Sequence, residues 1–298
     1  MGQPVNPRLR VLAYAAVYLF WGASFLAIRE IVLVAPPFLA AAVRFTSAGL
    51  ILLAFALTNR APLPSWSESR SSLALGVVFF AINYACVFWA EQRIASGYAA
   101  VVSSTTPVWV FAGEWLWLGA VRPTRPGIMG MFLGIAGVAL LVLPGASGRA
   151  LVAPLVMVFG VLCWTFATLW SRRLIVPKSR YLNAGLQMFT GGALLFALSS
   201  GAGEMSRLPQ VLARWDLRLS FDMAYLVVAA SILAFLAFVW LIEHEPASRV
   251  SSYAYVNPLI AIALGAFVAG ERLAPAQWAG AGLVLSGVVI TLRARVNA

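Results

Sequence analysis

Long apolar runs separated by short polar turns make up nearly the whole chain, and the length of the runs decides what they can be. Ten runs read as spans: Val11–Ile28, Pro36–Leu57, Leu73–Glu91, Tyr98–Leu118, Gly127–Leu143, Ala153–Trp170, Asn183–Ser200, Met223–Ile242, Val250–Ala269 and Gln277–Leu292. Each comes near the roughly 20 residues an α-helix needs to cross a ~30 Å hydrocarbon core. Barrel strands would be about half as long and would alternate apolar with polar, which these runs do not do. The pattern predicts an all-α integral membrane protein with ten transmembrane helices. The first run follows basic Arg8 and Arg10 as a signal peptide would, but Trp21 and Phe25 occupy its second half with no small-residue cleavage site, so it reads as a span. The longest loop, Gly201–Phe221, carries Pro209, Trp215 and mixed charges and is expected at the membrane surface.

The runs repeat. At a shift of 151 residues Trp89 falls on Trp240, Pro107 on Pro258, Ala112 on Ala263 and Gly119 on Gly270. After one deletion in the turn the shift is 150, and Gly130 meets Gly280, Leu133 meets Leu283 and Gly137 meets Gly287. One offset held over such a stretch marks a duplication, with halves at 1–148 and 149–298. Five spans per half is an odd number, so the halves must insert in opposite directions. Such inverted repeats place a substrate site near the midplane between them.

Composition agrees: 62% hydrophobic and 10% charged residues, with mean hydropathy +0.89, cannot cover a water-soluble surface. The net charge of +11 comes from basic residues placed singly between spans, which is a topology signal and argues against nucleic acid as a partner. With the N-terminus in the cytoplasm, inner segments hold thirteen Lys or Arg residues and outer segments seven, so both termini are expected inside a bacterial inner membrane. Cys86 and Cys163 lie within spans and read as packing residues.

Chemistry is sparse. Pro107 and Pro258 are matched mid-span prolines, each removing a backbone donor and crowding the carbonyl four residues earlier, at Ser103 and Ala254. They read as hinges or as static kinks. Ser103, Ser104, Thr105 and Thr106 beside the first, and Ser251, Ser252, Tyr253, Tyr255 and Asn257 beside the second, either line a cavity or bond their own helices. Two ionisable residues read as intramembrane, Arg44 and Glu114. Such residues mark function by default: Arg44 for an anionic group or a gate, Glu114 for a proton. Trp21, Tyr84, Trp109 and Trp164 fall within spans and suit an apolar pocket with polar tips. The amides Asn83 and Gln187 need buried partners, whereas Trp66, Trp215 and Trp278 are interfacial anchors. Small residues on the fifth and tenth spans (Gly127, Gly130, Gly134, Gly137; Gly280, Gly282, Ser286, Gly287) permit close helix contact, internally or at a homodimer face. The only histidine, His244, lies at a span end, no nucleotide-binding loop appears, and nothing groups as a metal, cofactor or catalytic cluster. A non-enzymatic carrier fits best, with a receptor or scaffold as the different class.

Four segments carry a family resemblance: WGASFLAIRE (Trp21–Glu30), AAVRF (Ala41–Phe45), PASRVSSYAYVNPL (Pro246–Leu259) and GERLAPAQWAGAGLVLSGV (Gly270–Val288). They resemble the drug/metabolite transporter superfamily, and within it the ten-helix EamA branch with its YddG-type exporters of amino acids and drugs. The first half departs from the pattern, having Gly119-Ala120-Val121-Arg122 where the second has Gly270-Glu271-Arg272-Leu273. The resemblance implies an inner-membrane exporter of small organic metabolites with a central cavity, peripheral fifth and tenth helices, and hairpins that rock to alternate access. The sites expected to meet substrate are Trp21, Arg44, Asn83, Tyr84, Trp164, Gln187, Tyr253, Tyr255 and Asn257. Nucleotide-sugar or sugar-phosphate exchange on the same fold is the runner-up. It would want several inward cations, where only Arg44 qualifies and Lys178 is the sole lysine.

Overall fold

The structure is a computed structural model that describes residues 7–117, 124–142, 151–245, 250, 253–272 and 274–296. The 119–122 turn, the small loop 144–149, the 246–249 part of the PASR segment, Ser251 and Ser252 lie outside these residues, as does the side chain of Tyr255. Every regular element among the described residues is helical. In chain order these are α1 (Pro7–Val34), α2 (Pro37–Thr58), a composite α3 (Trp66–Gly76, π-helical Val77–Ile82, Asn83–Glu91), α4 (Ser96–Ser103), α5 (Thr106–Leu116) and α6 (Arg125–Val142). Then follow α7 (Val152–Ser171), α8 (Arg180–Gly201), α9 (Leu208–Arg214), a composite α10 (Leu217–Tyr225, π-helical Leu226–Leu233, Ala234–His244), α11 (Tyr253–Val268) and α12 (Pro275–Val296).

Six of the described helices are long and apolar enough to cross a bilayer: α1, α2, α3, α7, α8 and α10. Shorter apolar helices accompany them. Large apolar side chains such as Leu116, Phe132, Phe159 and Phe267 point outward, a surface that suits acyl chains and not water. Local sequence explains the helix starts. Ser65 and Glu68 form a capping box on α3, and Asp216 caps α10 by accepting from Leu219 N at 2.8 Å. The start of α2 is capped from a distance, where Leu39 N donates to the Glu204 carboxylate at 2.8 Å. The loop expected at the membrane surface thus folds as a 3₁₀ turn, Glu204–Arg207, and the short α9.

The fourth span departs from the expected single helix. It breaks at Ser104 and Thr105 into α4 and α5, because Pro107 opens the second segment and cannot donate to Ser103 O. Thr106 Oγ1 takes over that donation at 2.7 Å. The matched Pro258 lies inside an unbroken α11. The two prolines therefore have different local consequences.

Packing follows a pattern of exchanges. α2 lies along α8, and α6 along α12; α1 packs on α10 and α11, while α7 packs on α3 and on the α4–α5 pair. Glycines let the pairs α2–α8 and α6–α12 approach closely. A Cβ on Gly287 would come 2.5 Å from Gly134 N, and one on Gly137 would come 2.6 Å from Val284 N. The stripe of small residues is thereby used inside the molecule, between α6 and α12. Gly282 has nothing within 4 Å of where its Cβ would stand. Gly287→Val is expected to lower stability in detergent by about 1–3 kcal/mol through forced separation of α6 and α12. Gly282→Val is expected to leave the thermal unfolding curve unchanged.

Candidate functional site

At the centre of the bundle α1, α3, α4, α7 and α11 surround a cavity with about 690 Å³ of atom-free space, counting its mouth. Trp21, Phe25 and Ile28 line it from α1, Asn83, Tyr84 and Val87 from α3, and Ala100 and Ser103 from α4. Val161 and Trp164 face it from α7, and Tyr253, Ala254 and Asn257 from α11. The aromatic rings meet edge to face: Trp21–Trp164 at 6.0 Å and 90°, Trp21–Tyr253 at 5.4 Å and 87°, Tyr84–Trp164 at 6.4 Å and 85°. Such pairs hold each other's orientation beyond what burial alone supplies.

The irregular backbone explains why these side chains converge. A π-helical turn misaligns the ladder and presents carbonyls sideways. In α10 the Ala230 carbonyl accepts from Trp21 Nε1 at 3.0 Å, and Tyr225 at the edge of the same segment donates its hydroxyl to Phe20 O at 2.8 Å. In α3 the Phe79 carbonyl accepts from Asn83 Nδ2 at 3.3 Å. Both indole and amide are thus fixed by carbonyls in or beside a π segment. Ser104 Oγ and Thr105 Oγ1 return to Val101 O and Val102 O, both at 2.7 Å, so these hydroxyls bond their own helix.

Of the nine residues expected to meet substrate, Trp21, Asn83, Tyr84, Trp164, Tyr253 and Asn257 share this cavity. Asn257 is buried and its Oδ1 has no hydrogen-bond partner. Arg44 stands behind the wall instead of in it. It is 1% exposed, donates Nε–H to Ser231 Oγ at 2.8 Å, and lays its guanidinium on the rings of Phe45 (4.7 Å) and Tyr84 (5.1 Å). One of its terminal nitrogens has no hydrogen-bond partner. Gln187 is buried in α8, donates to Asn183 Oδ1 at 2.8 Å and packs its backbone against Gly76, away from the cavity.

The two ends of the cavity differ. Toward the face where Arg10 of α1 meets Glu245 after α10, a second hollow opens, lined by Thr106, Pro107, Val110, Thr168, Arg172 and Ile242. Trp164 and Tyr253 border both spaces and form the septum between them. Glu114 lies at this face, buried, and accepts from the half-exposed Arg172 at 2.7 Å. The opposite end is sealed by polar contacts, one set between the halves and two within the first half. The Glu271 carboxylate accepts from Ser96 N (3.0 Å) and Ser96 Oγ (2.8 Å), capping α4. Gln92 Nε2 donates to Val32 O at 3.2 Å, and Arg29 donates to the backbone carbonyl of Glu91.

Sequence reading counted Arg44 and Glu114 as the ionisable residues within the membrane. The structure adds Glu91, which sequence reading gave only as the last residue of a span and which has no exposed surface at all. Its spacing from Tyr84 and Val87 was the available signal, since those three positions share one helix face.

A duplicated helical bundle with a lipid-matched exterior and a central aromatic cavity, sealed at one end, defines a multi-pass membrane transporter class. The EamA-like transporter family model matches residues 9–143 and again 151–293, and the chain belongs to that family. The uncharacterized inner membrane transporter YedA of Escherichia coli K12 is 31% identical over 281 residues, covering 93% of this chain and 89% of that one. An uncharacterized transporter of Archaeoglobus fulgidus is 25% identical over 286 residues, covering 95% and 99%. A solved crystal structure superposes with a TM-score of 0.66 at 19% identity, covering 98% of this chain and 99% of that one, which is a likeness of fold. The protein is accordingly a multi-pass inner-membrane transporter.

Trp21→Phe keeps a ring in the cavity wall but leaves the Ala230 carbonyl without its donor. It is expected to cost about 1–3 kcal/mol, read as a lower midpoint of thermal unfolding in detergent.

Proposed function

We propose that the protein exports small amphipathic organic molecules, amino acids among them, by alternating access between two inverted five-helix halves. In this reading ten helices cross the inner membrane with both termini in the cytoplasm. The helix partnerships support a two-fold relation between the halves, because exchanging them turns the α1 contacts with α10 and α11 into those of α7 with α3 and with α4–α5, and an odd number of spans per half would make that relation an inversion. The π segments at Val77–Ile82 and Leu226–Leu233 occupy matching places in the two halves. The excess of Lys and Arg on the segments assigned inside supports the orientation.

The observation that carries the substrate class is the cavity itself: four aromatic rings joined edge to face in a chain, Tyr84–Trp164–Trp21–Tyr253, beside an amide oxygen, that of Asn257, with no donor. Apolar walls with a free acceptor suit a molecule that has an apolar body and an N–H or O–H group. Among the described residues, none lining the cavity is Lys or Arg, and a phosphate would call for such cations. Trp21, Tyr84, Trp164 and Tyr253 would hold the body, and Asn83 and Asn257 the polar group. Pro107, at the α4–α5 break, and Pro258 would act as hinges. The Glu114–Arg172 pair would latch the face where the second hollow opens, and Arg44 would stiffen Tyr84 from behind.

Counterflow in proteoliposomes tests this. Vesicles loaded with amino acids, organic cations or sugar nucleotides are offered the labelled counterpart. Accumulation of an amino acid or organic cation is expected; exchange of sugar nucleotides alone would overturn the substrate class. Asn257→Leu, which removes a hydrogen bond worth about 1.5 kcal/mol, should raise the half-saturating substrate concentration about tenfold. Pro107→Ala and Pro258→Ala should slow exchange while leaving thermal unfolding nearly unchanged, and normal exchange by both would remove the hinges.

A further inference from the structure

The sealed end of the bundle contains a carboxyl group that neither the cavity nor the packing uses. Glu91, the last residue of α3, has 0% exposure, and neither of its carboxylate oxygens has a hydrogen-bond partner. Charged groups approach it from three sides: Arg29 of α1, Arg44 of α2, and Glu271 of the turn between α11 and α12. Each is committed elsewhere. Arg29 donates to the backbone carbonyl of Glu91, Arg44 to Ser231, and Glu271 caps α4 at Ser96. α4 itself brings no charged residue to this corner, Tyr98 being its one titratable side chain. A buried carboxylate without a bonded counter-charge is expensive, whereas the neutral acid is far less so. The second carboxylate, that of Glu271, adds repulsion to that cost.

The position gives the group a role. Glu91 follows Tyr84 and Val87 on one face of α3, so its carboxyl lies about a turn beyond the sealed limit of the cavity. It also adjoins Gln92, whose contact with Val32 makes the seal together with that of Glu271 on Ser96. Parting these contacts would admit water to Glu91. We propose that Glu91 is a proton-binding site that couples this end of the carrier to the proton: sealed, it is the neutral acid; opened, it gives its proton to water. One O–H bond breaks on opening, the proton leaves as hydronium, and the same bond re-forms on closing. Closure of this end is thereby proton uptake, and alkaline conditions favour the open state. The inference rests on the alternating-access reading, but its test needs no substrate.

Spin labels are placed at Arg93 and Val268, exposed positions on the two sides of the seal, after Cys86 and Cys163 are replaced by Ala. Distances between the labels are measured by pulsed electron resonance in lipid nanodiscs. The ratio of open to closed populations is expected to rise about tenfold between about pH 6 and about pH 8. In Glu91→Gln, which mimics the neutral acid, the closed distance should persist at both pH values. Glu91→Leu, which needs no hydrogen-bond partner, should behave the same and covers the case in which the amide fails to fold. A parent protein with no pH response, or variants that keep the parent's response, would overturn the proposal. A pH response that depends on Glu91, in a protein that fails every counterflow assay, would instead sustain the proton site and overturn the proposed substrate class.

Discussion

A backbone carbonyl inside hydrocarbon must find a donor within the protein, because no water is there to supply one. This constraint decides where the cavity is. The π segments of α3 and α10 and the break before Pro107 each disturb the helical ladder, and each disturbance is answered by a side chain. Trp21 answers for Ala230, Asn83 for Phe79, and Thr106 for Ser103. All three donors also line the cavity. The groups that repair the backbone are therefore the groups a bound molecule would meet, and their orientations are set before anything binds.

Close contact between helices supplies the frame around this irregular centre. Gly134, Gly137 and Gly287 bring α6 and α12 together backbone to backbone, and Gly49, Gly185 and Gly192 do the same for α2 and α8. Association in lipid lacks the usual hydrophobic drive and depends on such packing. Polar links between halves occur at the centre, Trp21 on Ala230 and Arg44 on Ser231, and toward the ends, Glu204 on the start of α2, Glu271 on the start of α4 and Arg172 on Glu114. A frame fastened along two glycine seams and latched at its ends can change its latches without rebuilding its seams.

Much of this was legible in the sequence, and for physical reasons. The length of the apolar runs identified helices in a membrane. The offset that pairs Pro107 with Pro258 identified the duplication, and aromatic residues within spans pointed to the cavity wall. What stayed hidden depends on three-dimensional neighbours. The π segments have no composition of their own and became visible only through the ladder. Arg44 looked like a substrate residue because a lone intramembrane cation usually is one, yet Phe45 and Tyr84 hold it behind the wall. Glu91 was only the last residue of an apolar run, and its burial beside α1, α2 and the α11–α12 turn became visible with the packing.

The matched prolines leave one asymmetry with mechanical meaning. Pro107 starts a new helix after a break, while Pro258 is carried within a continuous one. A short irregular joint is compliant in bending; an unbroken helix transmits force along its length. Two arms of unequal stiffness do not share a load equally, so displacement concentrates in the softer one. The duplicated architecture thus carries a joint in its first half that its second half lacks, and in an alternating-access cycle that joint would bend first.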